Sequence, residues 1–157
     1  MAEIVTHASV DAPIPTVWGI LTDFERYPDW NPMVVQMIGE PRVGCRLTLH
    51  VRVRGRALEL PARVLIATPG EQLCWGGGVR GLLWVEHYVG LSADGGRTRI
   101  VHGERFQGVL GSSLHRMVRL ESYEAMNQAL IQRALLPAEP GAAAEPGVSA
   151  DPSGVPR

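Results

Sequence analysis

The sequence predicts an α+β fold, a curved antiparallel sheet whose concave face takes one long C-terminal helix. Two periodicities predict it. Apolar residues recur at every second position from Val34 to Phe106, then at a spacing of 3.6 from about Gly111 to Ala134. Size sets the third constraint: 157 residues, 45 % hydrophobic and 20 % charged, make one domain with its own core and little room for a second. A helix with one apolar stripe can bury it only against the concave side of such a sheet.

Ile4 to Val10 alternates weakly as a first strand, and Asp11 stands where it can cap a helix. Pro13 and Pro15 suit only a first helical turn, and Val17, Ile20 and Leu21 share a stripe, so a first helix spans 13–22. FERYPDWNP (24–32) adds a short second helical turn, stopped at Pro28 and Pro32. Leu47, Leu49, Val51 and Val53 alternate with Arg46, Thr48, His50, Arg52 and Arg54, a strand with one wet face. Leu58, Leu60, Val64 and Ile66 continue the pattern after a turn at Gly55. Three more strands come next, at Gln72 to Trp75, Leu82 to Leu91 and Thr98 to Phe106, for six or seven in all.

The run Gly76-Gly77-Gly78-Val79-Arg80-Gly81 lacks the spacing of a phosphate cradle and precedes no helix; it reads as a flexible loop, placed to act as a lid. Ser112 or Ser113 can cap the long helix, whose stripe is Leu114, Met117 or Val118, Tyr123, Met126, Leu130 and Ala134. After Leu136 the segment PAEPGAAAEPGVSADPSGVPR holds five prolines and almost nothing large and apolar. Such a stretch cannot offset the entropy of ordering, so 137–157 is expected to be a disordered tail and 1–136 the folded unit.

Pairing geometry picks out the candidate chemistry. With Asp94-Gly95 as a two-residue hairpin turn, Leu91 faces Thr98, Val89 faces Ile100, His87 faces His102 and Val85 faces Glu104. Leu83 and Phe106 complete this buried face. Trp84, Glu86, Tyr88, Arg99, Val101 and Arg105 form the opposite, solvent face. His87, His102 and Glu104 then point inward within reach of one another, which is costly unless they are hydrogen-bonded or meet a cavity. They read as acid/base groups or polar anchors for a ligand. A satisfied network tying strands to the long helix through Asn127 or Arg119 is the structural alternative. Their ligand types would suit a metal, but no further ligand accompanies them and no metal is expected.

Charge and composition exclude several classes. Fifteen basic residues oppose sixteen acidic ones, a net charge of −1, with no general pull toward nucleic acid or an anionic membrane. All fifteen are Arg, which removes lysine Schiff-base chemistry and the P-loop lysine. Cys45 and Cys74 form no CxxC or Cys/His cluster and are expected to be buried thiols of a cytoplasmic protein. No secretory signal and no membrane-length apolar run is seen, so membrane insertion is not expected. Arg46, Arg52, Arg54 and Arg56 make an outward basic stripe. An exposed Trp84/Tyr88 face is compatible with a homodimer as well as a monomer.

Ala12-Pro13, Val17-Trp18, Leu21-Thr22-Asp23, Tyr27-Pro28 and Trp30-Asn31-Pro32 together resemble the N-terminal signature of the SRPBCC, or START-like, superfamily. Gly95-Gly96-Arg97-Thr98, His102-Gly103-Glu104, Phe106-Gln107-Gly108 and Tyr123-Glu124-Ala125-Met126-Asn127-Gln128-Ala129-Leu130 are similar to its polyketide cyclase/dehydrase-like branch. The resemblance spans 1–136. It implies the helix-grip fold, seven strands wrapping the terminal helix with a deep apolar cavity between them. It also implies a polyketide- or lipid-like ligand and, in an enzyme, cofactor-free ring closure or dehydration. Tyr27, Trp30, Trp75, Tyr123, Met126 and Asn127 are the candidate ligand contacts, with His87, His102 and Glu104 as proton-moving groups. Trp18 and Phe24 are expected in the core. A non-catalytic carrier or sensor, and an accessory protein acting through protein contacts, are the rival readings.

Overall fold

The computed structural model describes residues 1–53 and 55–137. Arg54 and, beyond Pro137, the tail expected to be disordered lie outside the described residues. The chain runs β1 (Ala2–Val10), α1 (Ile14–Thr22), a 3-10 turn (Phe24–Arg26), α2 (Tyr27–Trp30), β2 (Val34–Ile38), β3 (Arg46–Val53), β4 (Arg56–Thr68), β5 (Gln72–Val79), β6 (Leu83–Asp94), β7 (Arg97–Gln107), α3 (Gly111–His115) and α4 (Leu120–Leu135). Seven antiparallel strands lie in the order β1-β7-β6-β5-β4-β3-β2, so β2 to β7 form a meander and β1 closes beside β7. α4 lies on the concave face. Tyr123, Met126, Asn127, Leu130 and Ala134 are its buried side, at helical spacing. Val17 and Leu21 of α1, Phe24 and Tyr27 join Leu73, Val89, Ile100 and Leu130 in the main core.

The β6–β7 hairpin slips from the expected register by two residues. Asp94 pairs with Arg97, so the turn is Gly95-Gly96 rather than Asp94-Gly95. Both glycines have positive φ, 58° and 89°, which a type I′ turn demands at both central positions. His87 consequently faces Glu104, Val89 faces His102 and Val85 faces Phe106. A slip of two preserves side-chain parity, and the buried face keeps the expected membership.

Other expectations are corrected. The terminal helix is two helices: Arg119 is extended (φ −100°, ψ 128°) and breaks it between α3 and α4. Ser112 and Ser113 lie inside α3, whose N-cap is Leu110, and Pro13 rather than Asp11 caps α1. Gly76, Gly77 and Gly78 are strand, paired with Glu86, Val85 and Trp84. A side chain at Gly77 would run into the Pro61 carbonyl, so the glycines let β4 and β5 lie close instead of forming a lid. A bulge between Val64 and Ile66 turns Ile66 to the outer face. Cys74 is buried as expected, but Cys45 is only half-buried. Burial pushes the Cys74 thiol up to about 11, which keeps it protonated and unreactive at neutral pH.

The outer face is also less open than expected, because Tyr88 is buried there. Its ring lies across Gly103, where an added Cβ would come within 2.6 Å of the phenol oxygen. The phenol donates to Glu3 (2.9 Å), Arg105 donates to the same Glu3 oxygen (2.8 Å), and the Arg105 guanidinium covers the ring at 4.4 Å. Trp84 is engaged similarly, its indole N–H on Glu86 and Arg80 over its ring.

Candidate functional site

Between α3–α4 and strands β3 to β7 lies a cavity of about 540 Å³, in the range that holds a drug-sized molecule. Leu49, Val51, Leu60, Ala62, Val85 and Phe106 give it apolar walls, Gly76 to Gly78 a side-chain-free strip, and Leu114 of α3 with Met117 and Val118 of the turn before α4 a third flank. Val53, Leu58 and Leu60, inward in strand parity, and Met117, in the turn between α3 and α4, line the cavity yet are 44–59 % exposed, so they mark its open end.

Four polar or aromatic side chains meet on the cavity wall. Trp75, His87 and Glu104 occupy one row across β5, β6 and β7, because Trp75 pairs with His87 and His87 with Glu104. Trp75 stacks on the His87 ring at 4.4 Å and 17°. Tyr123 reaches down from α4, 6.0 Å from the His87 ring, and its hydroxyl donates to Glu104 Oε2. Glu104 Oε1 stands 3.7 Å from His87 Nδ1, ion-pair distance when the ring carries a second proton. Burial, with Glu104 beside it, pushes the Tyr123 phenol well above its ordinary range, so it stays a donor.

Behind the wall, a second network has a fixed direction. Thr6 Oγ1 donates its one hydrogen to the His102 carbonyl (2.9 Å), so it can only accept from Asn127 Nδ2 (2.9 Å). That orients the amide, and Asn127 Oδ1 must accept from His102 Nδ1 (2.8 Å). Burial first, and the neighbouring His87 second, lower the His102 pKa from 6.5 to about 3, so this ring is neutral and its Nε2 is bare. His87 Nε2, 3.0 Å away, therefore donates. A backbone carbonyl at one end thus dictates where the hydrogen sits on His87 at the other, leaving Nδ1 to face Glu104.

Of the residues singled out from the sequence, Trp75, His87, Glu104 and Tyr123 line the cavity. His102 and Asn127 are buried behind it, within the hydrogen-bonded chain from Thr6, and Arg119 is at the cavity rather than in that chain. Met126 is buried under α4. Tyr27 and Trp30 do not line the cavity: Tyr27 donates to the Leu21 carbonyl (2.8 Å) and packs edge-on between Phe24 and Trp30. Leu58, Leu60 and Val53 are cavity walls that residue type alone does not single out. Their signal was inward parity on the strand tips, beyond what one helix can cover. Among the described residues no group of three or more His, Cys, Asp or Glu is arranged to hold a metal ion.

The sequence profile of the family described as "Polyketide cyclase / dehydrase and lipid transport" matches residues 1–136. The chain belongs to that family. Solved structures agree on the fold. A START superfamily protein from Mycobacterium smegmatis superposes with a TM-score of 0.68 at 20 % identity, covering 84 % of this chain and 96 % of that one. The Zhui aromatase/cyclase from a Streptomyces species gives 0.68 at 17 % identity, covering 85 % and 93 %. A truncated norcoclaurine synthase from Thalictrum flavum gives 0.66 at 14 %, covering 85 % and 93 %. At such identities the likeness is one of fold. Among curated proteins none matches the chain. Membership of the polyketide cyclase/dehydrase and lipid-transport family fits an apolar cavity, and among the described residues no helix is long and apolar enough to cross a membrane.

Proposed function

We propose that this protein binds a small or medium hydrophobic molecule, polyketide- or lipid-like, in the cavity, and that Glu104 and His87 move a proton in a cofactor-free cyclisation or dehydration of it. The observation carrying the proposal is a carboxylate and an imidazole 3.7 Å apart on a mostly apolar wall, with room for a ligand beside them. Ring closure or water loss needs a base to take a proton next to a carbonyl and an acid to protonate the oxygen that forms or leaves. A pair sharing one proton supplies both. The walls would hold a flexible chain in a folded shape and lower the entropic barrier. Tyr123 positions the carboxylate, and Trp75 holds the imidazole plane.

The carrier reading has one observation in its favour: from Thr6 to His87 Nε2 every ring nitrogen, amide and hydroxyl in the buried network is paired, as a purely structural network would be. Glu104→Gln and His87→Gln separate the two readings on a panel of aromatic polyketides and lipids. Catalysis requires turnover to fall by about 10²–10⁴. Ligand affinity should fall by no more than about tenfold. Binding by the parent protein with no turnover to lose would establish the carrier.

A further inference from the structure

We propose that the inner end of the cavity is a hydrogen-bond acceptor site, which takes a ligand by a neutral hydroxyl (alcohol, phenol or enol) at its buried end. The inference rests on the cavity-binding reading and adds to it the chemistry of the group that must enter first. It comes from counting hydrogens. His87 spends its Nε2–H on His102, a direction imposed by the chain of bonds through Asn127 and Thr6 to a backbone carbonyl. Tyr123 spends its O–H on Glu104 Oε2. What remains at the His87–Glu104 pair itself is His87 Nδ1 and Glu104 Oε1, with at most the one proton they share between them. Wherever that proton sits it is used within the pair, and the free lone pairs outnumber the free hydrogens. A ligand oxygen with its own hydrogen satisfies the carboxylate. An ether or ketone oxygen set against this pair meets only acceptors, so its burial there goes uncompensated. The donors of the cavity lining (Trp75, Ser122, Arg52 and Arg119) belong to other residues of the wall.

The test needs two probes that differ only in that hydrogen: β-naphthol and its methyl ether, titrated at pH 7 against the parent protein and Glu104→Gln by calorimetry. The naphthol should bind at least about tenfold more tightly than the ether, the worth of a hydrogen bond to a charged acceptor. In Glu104→Gln the Tyr123 hydroxyl needs an acceptor and takes the amide oxygen. The amide N–H₂ is then left toward His87, and the gap should close to within about threefold. Equal binding of the two probes to the parent protein overturns the acceptor site while leaving the cavity reading intact. A gap that survives in Glu104→Gln overturns it too, since the hydroxyl would then be met elsewhere. If neither probe binds, the acceptor site is overturned, while the cavity reading stands or falls on the wider polyketide and lipid panel.

Discussion

His87 Nε2 and His102 Nε2 face each other at 3.0 Å, and a single hydrogen lies between them, held on His87. Two imidazoles can meet this way inside a protein only if one stays neutral with its lone pair turned to the other. Asn127 and Thr6 enforce that state from behind, and Glu104 receives its consequence in front.

The depressed His102 pKa makes stability pH-dependent. In the unfolded chain the ring gains its proton below about 6.5, in the folded one only near 3. Between those values the unfolded state binds more protons, so stability is complete above about 6.5 and is lost as pH falls toward 3. From pH 7 to pH 5 this one group should remove about 2 kcal/mol. Urea denaturation at the two pH values should show a shallower loss in His102→Gln, which has nothing to titrate there.

Cutting the network at its hinge should cost stability without touching the cavity wall. Asn127→Leu fills similar space but leaves His102 Nδ1–H and Thr6 without their buried partner. A loss of about 1–3 kcal/mol in denaturant unfolding is expected. A change below a few tenths of a kcal/mol would show that the buried polar chain is not satisfied in this way.

Two glycines should respond oppositely to alanine. Gly103→Ala drives a methyl group into the Ile4 carbonyl and the Tyr88 ring, and should destabilise by about 1–3 kcal/mol or prevent folding. Gly19 is exposed within α1 and has no atom within 4 Å of an added Cβ, so Gly19→Ala should stabilise by about 0.5–1 kcal/mol. Thermal unfolding of the pair checks both signs.

Tyr123→Phe keeps the ring against His87 and His102 but removes the donor to Glu104 Oε2. The carboxylate loses a buried partner, so stability should fall by about 1–2 kcal/mol. If Glu104 works as proposed, turnover should fall with it while its pH profile changes shape, a response that lost packing alone would not give.

Sheet, helices and the inward placement of His87, His102 and Glu104 were legible in the sequence because each rests on a period of two or 3.6. Even the wrong hairpin register cost nothing in parity. What was not legible depended on single backbone states. The extended Arg119 divides the terminal helix, and the Val64–Ile66 bulge turns Ile66 outward. Nor could periodicity separate His87, on the wall, from His102, one row behind it. That division comes from Thr6 on β1 and Asn127 on α4, residues 96 and 25 positions from His102 in the chain. Tyr27 and Trp30 looked like ligand contacts by residue type, yet they belong to the core between α2 and β2.

Everything proposed for Glu104 and His87 depends on an apolar cavity that a ligand occupies. Native mass spectrometry of the purified protein probes this, with denaturing extraction of whatever is bound. A co-purifying apolar molecule of a few hundred daltons, released on unfolding, is expected, or a thermal shift from members of an aromatic and lipid panel. A clean mass for the bare chain together with no thermal shift across that panel would show that the cavity holds no ligand of this class.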